Sequence, residues 1–382
     1  MSRKTKIVIA IIAVIAVAAI AFFGIRHRMR KPAEDKNVIK IGAILGLTGP
    51  QAQYSIEALN GLTLAIDEIN ASHMLNRTLK IEVENSDDNP QKAISAFRKI
   101  MEQKPIAIID SNSGVAMTLA PIAGQQEIPL FSLLASDEPL PLLNKWSFRA
   151  HFSAKEEAIL MAKYLFNKLG LKKVAVLYVN NSHGNESTSF FKKTFIELGG
   201  VIVGDETFEI GDKDTKTQIA KICSKKPEAI YIFGYGLGYC AAIKELKSIN
   251  FTGYIATMDA LALPADRLAT KGANNGIIFT SSLFSKSLND LSEKFYMAYL
   301  AKYGKEPSHV AAIAYELIYT IVYSIHAGNE SPLKLRDSIV NQGRASSLGG
   351  IYFSNDRGLV FPMGIWEIHG ETPVLVYHQK VK

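Results

Sequence analysis

The sequence predicts an α/β fold with two lobes, and three observations lead to it. Strand-like and helix-like segments alternate from Val38 almost to the end of the chain, a rhythm typical of parallel sheets with helices on both faces. The chain has 382 residues, too many for one ordinary α/β lobe and about right for two. Apolar residues make up 48% of it, which is enough to fill two cores.

Short runs rich in β-branched and aromatic residues predict the strands. In the main alternation they lie at Val38–Leu45, Thr78–Glu84, Ile106–Ile109, Leu130–Ser132, Lys173–Val179, Val201–Phe208, Ala229–Phe233, Tyr254–Thr257 and Gly276–Ser281. Near the end of the chain, further strands are predicted at Ile351–Phe353, Gly364–His369 and Val374–Val376.

Apolar residues at three- and four-residue spacing predict helices between these strands. They lie at Ser55–Ala71, Pro90–Gln103, Val115–Gln126, Ala154–Leu169, Asn185–Leu198, Thr215–Lys225 and Leu237–Ser248. Three more helices follow the last strand of the alternation, at Leu288–Tyr303, Val310–His326 and Leu333–Asn341.

The alternation breaks near Phe148–Phe152, and a second run of elements begins at Ala154. We therefore expect two Rossmann-like lobes. The late helices follow the second run of strands, so the chain crosses between the lobes more than once, through a multi-strand hinge. The predicted boundaries are residues 38–150 and 281–347 for lobe 1, and residues 151–280 and 348–382 for lobe 2.

The N-terminal segment is strongly apolar. Ile7–Ile25 is nineteen residues without a charge, long enough to cross a bilayer. We predict an uncleaved signal-anchor over residues 1–25 and a charged linker over residues 26–37, with a cleaved signal peptide as the alternative. The basic residues after the apolar run exceed those before it, which opposes export of the domain, although long domains translocate largely regardless of flanking charge.

The net charge of +7 does not indicate a nucleic-acid-binding protein. Residues 1–36 hold eight Lys and Arg and two acidic residues, a net charge of +6, which leaves about +1 for the rest. A nearly neutral folded part offers no basic face to a phosphate backbone. We expect no nucleic-acid partner.

Two cysteines occur, Cys223 and Cys240. One is predicted to end a helix and the other to begin the next helix, with a strand between them. Two separate buried thiols are favoured over one disulfide. The spacing suits neither a metal site nor a redox motif.

Motifs of common enzyme classes are absent. The sequence contains no Gly-x-Ser-x-Gly elbow, no His-Glu-x-x-His helix and no phosphate-binding Gly-x-x-x-x-Gly-Lys loop. Gly234–Gly238 follows a strand and precedes a helix, but Tyr239 takes the place of the last glycine of the dinucleotide fingerprint. We therefore expect neither catalysis nor a cofactor.

A sharp turn containing Gly49-Pro50 joins the first strand to the first helix and carries Tyr54. Ligands of open α/β sheets bind at the carboxyl ends of the strands. Tyr54 is therefore a candidate for the wall of a ligand site.

Two further loops of the first lobe carry candidate ligand-binding groups. Ser113 follows a strand and opens a helix, where a hydroxyl and free N–H groups favour an anion; the alternative is a simple helix cap. Leu134 and Ser136 follow the next strand, and there a backbone group and a hydroxyl face the same crevice; the alternative is an ordinary turn.

In the second lobe, Tyr235 and Asp259 follow successive strands, and His183 lies in a similar loop. A carboxylate at this position can pair with a ligand ammonium, and a tyrosine ring can cover an apolar group. Alternatively, Asp259 caps a helix and His183 is solvated. Anion-binding groups in one lobe and an acid in the other are what closure on a zwitterion requires.

Over residues 38–382 the chain resembles the type I periplasmic solute-binding proteins of the leucine/isoleucine/valine-binding kind, which serve branched-chain amino-acid ABC transporters. The resemblance is carried by several blocks of sequence: Ile39–Gly42, Thr48–Pro50, Gln53-Tyr54, Gly61, Ala65–Asn70, Asp87–Ala93, Ala120–Ala123 and Ile128–Leu130.

The resemblance implies roles for the candidate residues. Ser113 matches a serine whose hydroxyl meets the ligand carboxylate, and Leu134 and Ser136 match loop positions that bind carboxylate and ammonium. Asp259 falls where an acidic residue receives the α-ammonium. Tyr54 and Tyr235 match aromatic residues that line the pocket.

Three departures concern selectivity. His183 stands where the family commonly has tyrosine, and Leu133-Leu134 replaces a usual proline–small pair. Asp137 brings a second acid near the site, which indicates a basic or polar ligand. The predicted membrane anchor also departs from the family, whose members are usually free in the periplasm or anchored by lipid.

The sequence therefore predicts a non-enzymatic binding protein on the extracytoplasmic side of the inner membrane. It is expected to close on a small amino-acid-like solute and to deliver it to an ABC permease. The alternative is a ligand-sensing or regulatory envelope protein that reuses the same fold, which the tether fits.

Overall fold

The computed structural model describes residues 37–49 and 52–378. Fourteen strands are named here in chain order. They are β1 (Val38–Leu45), β2 (Thr78–Asn85), β3 (Ala107–Asp110), β4 (Leu130–Ser132), β5 (Ser147–Arg149), β6 (Lys173–Val179), β7 (Val201–Phe208), β8 (Ala229–Phe233), β9 (Tyr254–Thr257), β10 (Ile278–Ser282), β11 (Tyr352–Phe353), β12 (Leu359–Val360), β13 (Met363–His369) and β14 (Thr372–His378).

Helices connect most of these strands. They lie at Ala52–Ala71, Pro90–Met101, Ser113–Gln125, Ala154–Lys163, Ser182–Glu197, Lys216–Cys223, Gly236–Ser248, Pro264–Ala269, Asp290–Tyr303, His309–His326 and Pro332–Ile339. Short 3₁₀ turns cover Leu140–Leu142 and Asp259–Ala262, and a π-helical turn covers Tyr164–Lys168.

The strands form two main sheets. The first sheet has the order β2-β1-β3-β4-β5, and the second has the order β14-β13-β10-β9-β8-β6-β7. The pairs β1–β3, β3–β4 and β4–β5 in the first sheet, and those from β7 through β10 in the second, are parallel. The carboxyl ends of these strands meet at one edge of each sheet, where the connecting loops collect. The predicted α/β fold with parallel sheets is confirmed.

The second sheet closes with antiparallel strands. Strand β13 pairs antiparallel with both β10 and β14, so the last strands return to the sheet that β6 began. The chain passes from the first sheet to the second after Arg149, leaves it after Ser282 and re-enters it at Met363. The predicted lobe boundaries remain a prediction.

Each sheet has its own apolar core. The core around the first sheet includes Phe131 and Phe148, together with the long helix His309–His326, which packs against the helix Ala52–Ala71. The core around the second sheet includes Tyr231 and Phe191, whose rings stack at 4.4 Å. Late helices therefore complete the layer that the earliest strands began.

Several elements differ from their predicted forms. The strand Ser147–Arg149 and the helix Pro264–Ala269 were not predicted, because three and six residues are too few to show a period. The helix predicted as Ala154–Leu169 leaves α geometry after Lys163 and continues as a π-helical turn.

Both cysteines are free thiols, as predicted. Cys240 is buried, but Cys223 is only half-buried, so the expectation of two buried thiols was wrong for Cys223.

Within residues 37–49 and 52–378, no helix has the length and apolarity needed to span a bilayer. The predicted anchor over residues 1–25 lies outside the described residues, and so does the predicted linker except for its last residue.

Candidate functional site

A cavity of about 240 Å³ lies between the two sheets. One wall comes from loops and helix starts of the first sheet, and the opposite wall from those of the second. Its lining is Tyr54, Asp88, Asn112, Ser113, Gly114, Leu134, Ser136, His151, Phe152, Glu157, His183, Tyr235, Met258, Asp259 and Val310. All seven residues that the sequence proposed for ligand binding are in this lining.

The first-sheet wall holds the start of a helix. The helix begins at Ser113, and Asn112 caps it by accepting a 2.9 Å hydrogen bond from the N–H of Val115. The alternative assignment of Ser113 as the cap was therefore wrong, because the amide of Asn112 fills that position. The hydroxyl of Ser113 remains at the cavity beside the first free N–H groups of the helix, a place that favours an anion.

Leu134 and Ser136 lie in the loop after β4, on the same wall. The hydroxyl of Ser136 is 3.4 Å from Nδ1 of His183, a residue of the second-sheet layer. Burial lowers the pKa of His183, although Asp137 and Asp259 oppose the shift. His183 is half-buried in the cavity wall, so the alternative of a freely solvated His183 was wrong. Asp137 is itself buried but does not line the cavity.

Tyr54 also connects the two layers. It lies in the first turn of the helix Ala52–Ala71, and its hydroxyl donates a 2.8 Å hydrogen bond to Oδ2 of Asp266, which follows the second sheet's strand β9. Burial raises the pKa of Asp266 to about 6; the hydrogen bond from Tyr54 opposes this shift, and the nearby charge of Asp259 adds a smaller upward contribution. Pro50 and Gln51 of the predicted turn lie outside the described residues, and Gly49 has the positive φ of 96° that a sharp turn requires.

Tyr235 precedes the helix Gly236–Ser248 and accepts a 3.1 Å hydrogen bond from Nδ2 of Asn181. Gly236 follows with a φ of 80°, and a Cβ there would lie 3.0 Å from the carbonyl oxygen of Ile210. Gly236 therefore shapes the turn that presents Tyr235 to the cavity, which is a structural reason for glycine at this position.

Asp259 is the most enclosed predicted residue, with 4% of its surface exposed. Oδ2 lies 3.0 Å from Nε2 of His309 and 3.9 Å from Nε2 of His151. Burial opposes ionisation of Asp259, but the hydrogen bond and charge of His309, with smaller effects from His151 and His183, lower its pKa overall. The carboxylate therefore faces imidazoles, rather than capping the turn that it begins.

Glu157 lies beside Asp259 in the same wall. Its Oε1 accepts a 2.8 Å hydrogen bond from the backbone N–H of Asp259 and another from the hydroxyl of Thr280. Burial and the nearby charge of Asp259 raise the pKa of Glu157 well above its usual range. The wall thus pairs a carboxyl group whose pKa is lowered, Asp259, with one whose pKa is raised, Glu157.

On the first-sheet wall, Asp88 accepts a 2.5 Å hydrogen bond at Oδ1 from Nδ2 of Asn112. Burial raises the pKa of Asp88, Asn112 opposes that shift and Asp87 adds to it. Three carboxyl groups therefore line the cavity, and its described lining contains no lysine or arginine. The site is better suited to a ligand with a cationic or hydrogen-bond-donating part than to a purely anionic one.

Sequence reasoning missed five of these polar residues: Asp88, Asn112, His151, Glu157 and His309. His151 and Glu157 lie in the crossing from the first sheet to the second, where no regular pattern marks a site. His309 had a signal, since Ser308 is a helix N-cap and accepts a 3.2 Å hydrogen bond from the N–H of Ala311. That signal shows where the helix starts but not what faces its first residue.

Relatives and solved structures share this architecture. The chain is 26% identical over 258 residues to the Leu/Ile/Val-binding protein BraC3 of Rhizobium johnstonii, covering 64% of this chain and 67% of that protein. The branched-chain amino-acid transporter substrate-binding protein LivJ of Streptococcus pneumoniae, solved with isoleucine, has a TM-score of 0.84 at 23% identity, covering 90% of this chain and 100% of LivJ.

A solute-binding protein of an ABC transporter from R. palustris, solved with benzoate, has a TM-score of 0.81 at 22% identity. The match covers 89% of this chain and 96% of that protein. These structures share the fold, and their bound ligands differ in chemistry.

A family model described as "Periplasmic binding protein" matches residues 38–370, which is most of the chain. The relatives in this family are solute-binding receptors rather than enzymes. The protein therefore belongs to the periplasmic binding protein family, as the resemblance in its sequence implied.

Proposed function

We propose that the protein is an extracytoplasmic receptor that closes on a small amino-acid-like solute and passes it to an ABC permease. One observation carries this proposal. A cavity lies between the two sheets, with a helix start at Ser113 on one wall and the carboxylate of Asp259 on the other. A zwitterion bound there would bridge the walls, so its binding energy would favour the closed form.

In this proposal the ligand carboxylate meets the hydroxyl of Ser113 and the N–H groups that open its helix. Leu134 and Ser136 supply further backbone and hydroxyl groups on the same wall. Both histidine contacts of Asp259 fall on Oδ2, which leaves Oδ1 for the ligand ammonium. Tyr54 and Tyr235 enclose the ligand from opposite layers.

The side-chain end of the cavity favours a polar or basic ligand over an aliphatic one. His183 and Glu157 lie in the second-sheet wall, and Asp88 in the first. A branched aliphatic side chain against these groups would desolvate them without replacing their hydrogen bonds, at a cost of about 1–3 kcal/mol for each group left unpaired. An ammonium, amide or hydroxyl would instead find partners.

Location and delivery form the second part of the proposal. The family supports a place outside the cytoplasm, and the apolar residues 1–25 would tether the domain to the inner membrane. A tethered receptor would remain close to a single permease. Cleavage of this segment would instead release a freely diffusing receptor, and mass measurement of the mature protein distinguishes the two outcomes.

Calorimetric titration of the full-length chain in mild detergent tests ligand binding. The titrants are the twenty common amino acids and benzoate, with amino-acid amides and decarboxylated amines as controls that lack one charged end. We expect binding of at least one polar or basic amino acid and none of its amide or amine. Failure of every free amino acid to bind would contradict the receptor proposal.

A sensor or regulatory role is the second candidate, and the predicted tether favours it. Binding assays do not separate the two roles, since both need ligand-driven closure. Neighbouring genes for a permease and an ATPase, with ligand uptake lost on deletion, would support delivery. Normal uptake together with ligand-dependent capture of another envelope protein would support sensing.

A further inference from the structure

Two imidazoles and one carboxylate converge at the back of the cavity. Nε2 of His309 and Nε2 of His151 lie 3.0 and 3.9 Å from Oδ2 of Asp259, and one ligand atom from each residue lies within 4.8 Å of the others. The side chains are almost completely enclosed, with total exposures of 5%, 4% and 3% for His151, Asp259 and His309.

The separations between these atoms are close to those of a metal's ligands. Zinc binds imidazole nitrogen and carboxylate oxygen at about 2.0–2.2 Å, which places neighbouring ligands of a tetrahedral ion about 3.3 Å apart. The observed 3.0 and 3.9 Å lie on either side of that value. Small side-chain rotations would bring all three atoms around one ion.

Hydrogen bonding within the protein accounts for only part of this cluster. His309 is within hydrogen-bond distance of Asp259, but at 3.9 Å the Nε2 of His151 is too far away. Nε2 of His151 therefore faces the carboxylate of Asp259 without a hydrogen bond to it, and one ion between them would give both atoms a partner.

The three residues come from different parts of the fold. His151 lies in the crossing after β5, Asp259 begins the turn after β9, and His309 opens the helix His309–His326. His151 and Asp259 also line the cavity between the sheets, while His309 is outside that lining and borders a second cavity. An ion held here would have three protein ligands and at least one open position directed to the cavity, the arrangement of a site that binds an exogenous ligand.

We propose that His151, Asp259 and His309 form a binding site for a divalent transition-metal ion. Two imidazoles and one carboxylate select Zn²⁺, Ni²⁺ or Co²⁺ over Mg²⁺ and Ca²⁺, which prefer all-oxygen sites. Since the ion would use Asp259, a bound amino acid would coordinate it through its amine or carboxylate instead of pairing an ammonium with Asp259. The proposed metal site does not require that the protein also bind an organic ligand.

The test is a metal titration of the full-length chain in mild detergent, made without a polyhistidine tag and first stripped by a chelator. Co²⁺ binding is followed by visible absorption, and Zn²⁺ affinity by competition. We expect one ion per chain. His151→Gln, Asp259→Asn and His309→Gln should each weaken Zn²⁺ binding about 100-fold or more, while His369→Gln at an exposed histidine should leave it within about twofold.

Thermal unfolding of each variant shows whether it is folded. A second measurement requires no variant: the paramagnetic resonance spectrum of the Cu²⁺-loaded wild-type chain should show coupling to two imidazole nitrogens. Absence of metal binding by the stripped wild-type chain, or metal binding by all three cluster variants as tight as that of the wild type, would overturn the proposal. Metal binding together with failure of every amino acid to bind would leave this site standing and remove the receptor proposal.

Discussion

Asp110 and Asp259 occupy similar places in the two sheets, yet their protonation differs. Asp110 ends β3 of the first sheet, and Asp259 follows β9 of the second by two residues. Both are buried. Burial raises the pKa of Asp110 to about 8, opposed only by the 2.6 Å hydrogen bond that the hydroxyl of Ser132 donates to it. The pKa of Asp259 is lowered, because imidazoles outweigh the same desolvation.

The difference shows what each sheet contributes to the cavity. The first-sheet wall supplies the Ser113 and Ser136 hydroxyls, backbone N–H groups and the carboxyl group of Asp88, whose pKa burial raises. The second-sheet wall supplies the carboxylate of Asp259, which faces the imidazoles of His151 and His309. Position at a strand end therefore brings a residue near the cavity, but the groups that face it determine its charge.

The largest expected effect is on ligand affinity, from Asp259→Asn. If Asp259 pairs with a ligand charge in a desolvated site, its loss should cost about 2–5 kcal/mol of binding free energy. Calorimetry with the tightest-binding amino acid measures it, with Asp214→Asn at an exposed carboxylate as the matched control. Equal affinities for wild type and variant would show that the second sheet does not supply the charged end of the site.

A large effect on stability is expected from Asp110→Asn. In the unfolded chain Asp110 ionises near pH 4, but in the folded protein it stays protonated until about pH 8. The folded form thus holds a proton that the unfolded form releases, so this group's contribution to stability falls as pH rises from about 4 to 8. The neutral asparagine removes that loss, and we expect a gain of about 2 kcal/mol or more at pH 9 and little gain at pH 4.

Thermal or denaturant unfolding at several pH values measures this gain, again with Asp214→Asn as the exposed control. A constant difference between Asp110→Asn and wild type from pH 4 to pH 9 would mean that Asp110 is ionised in the folded protein. Asp110 and Asp259 would then not differ in protonation.

A smaller effect is expected from Ser113→Ala. Losing one hydroxyl donor to a ligand carboxylate should weaken binding by about 1.5 kcal/mol, while the N–H groups at the helix start remain. Ser95→Ala, at an exposed helical serine, is the control. No change in affinity for carboxylate ligands would place the anion elsewhere and leave the first-sheet wall without its proposed role.

The smallest effect is expected from Tyr54→Phe, which removes the hydrogen bond to Asp266 between the layers. We expect about 1 kcal/mol less favourable ligand binding, because one contact available to the closed form is lost. The variant should also raise the pKa of Asp266, since that hydrogen bond opposes the upward shift. Ligand affinity measured at pH 5 and pH 8 checks both the loss of affinity and the change in the pKa of Asp266. Tighter ligand binding by the variant than by the wild type would contradict the expected loss.

The sequence predicted the sheets well and named seven residues that line one cavity, because strands and the loops after them have local signals. Strand runs such as Lys173–Val179 and Ala229–Phe233 were predicted to the residue, since buried parallel strands are continuous apolar runs. All seven proposed ligand residues reached one cavity, because each follows a strand or opens the helix after it. The rule that ligands bind at the carboxyl ends of parallel strands was sufficient to place these seven residues at the cavity.

The remaining part could not be predicted from local pattern. His151 and Glu157 lie in a crossing between sheets, and His309 is 50 residues from the Asp259 that it contacts. The raised pKa of Glu157 depends on burial and on the charge of Asp259, neither of which has a sequence signature. These features require the packed structure, because they arise from which layers face each other.

The cap of the Ser113–Gln125 helix has a further consequence for stability and selectivity. Asn112 accepts from the N–H of Val115 through its carbonyl and donates to Asp88 through its amide. An aspartate cap would satisfy the same N–H, and its charge would stabilise the helix by about 0.3–1 kcal/mol more. That charge would also repel Asp88 and any incoming carboxylate. The amide of Asn112 therefore gives a less stable helix than an aspartate would, but it leaves this wall open to the carboxylate end of a ligand.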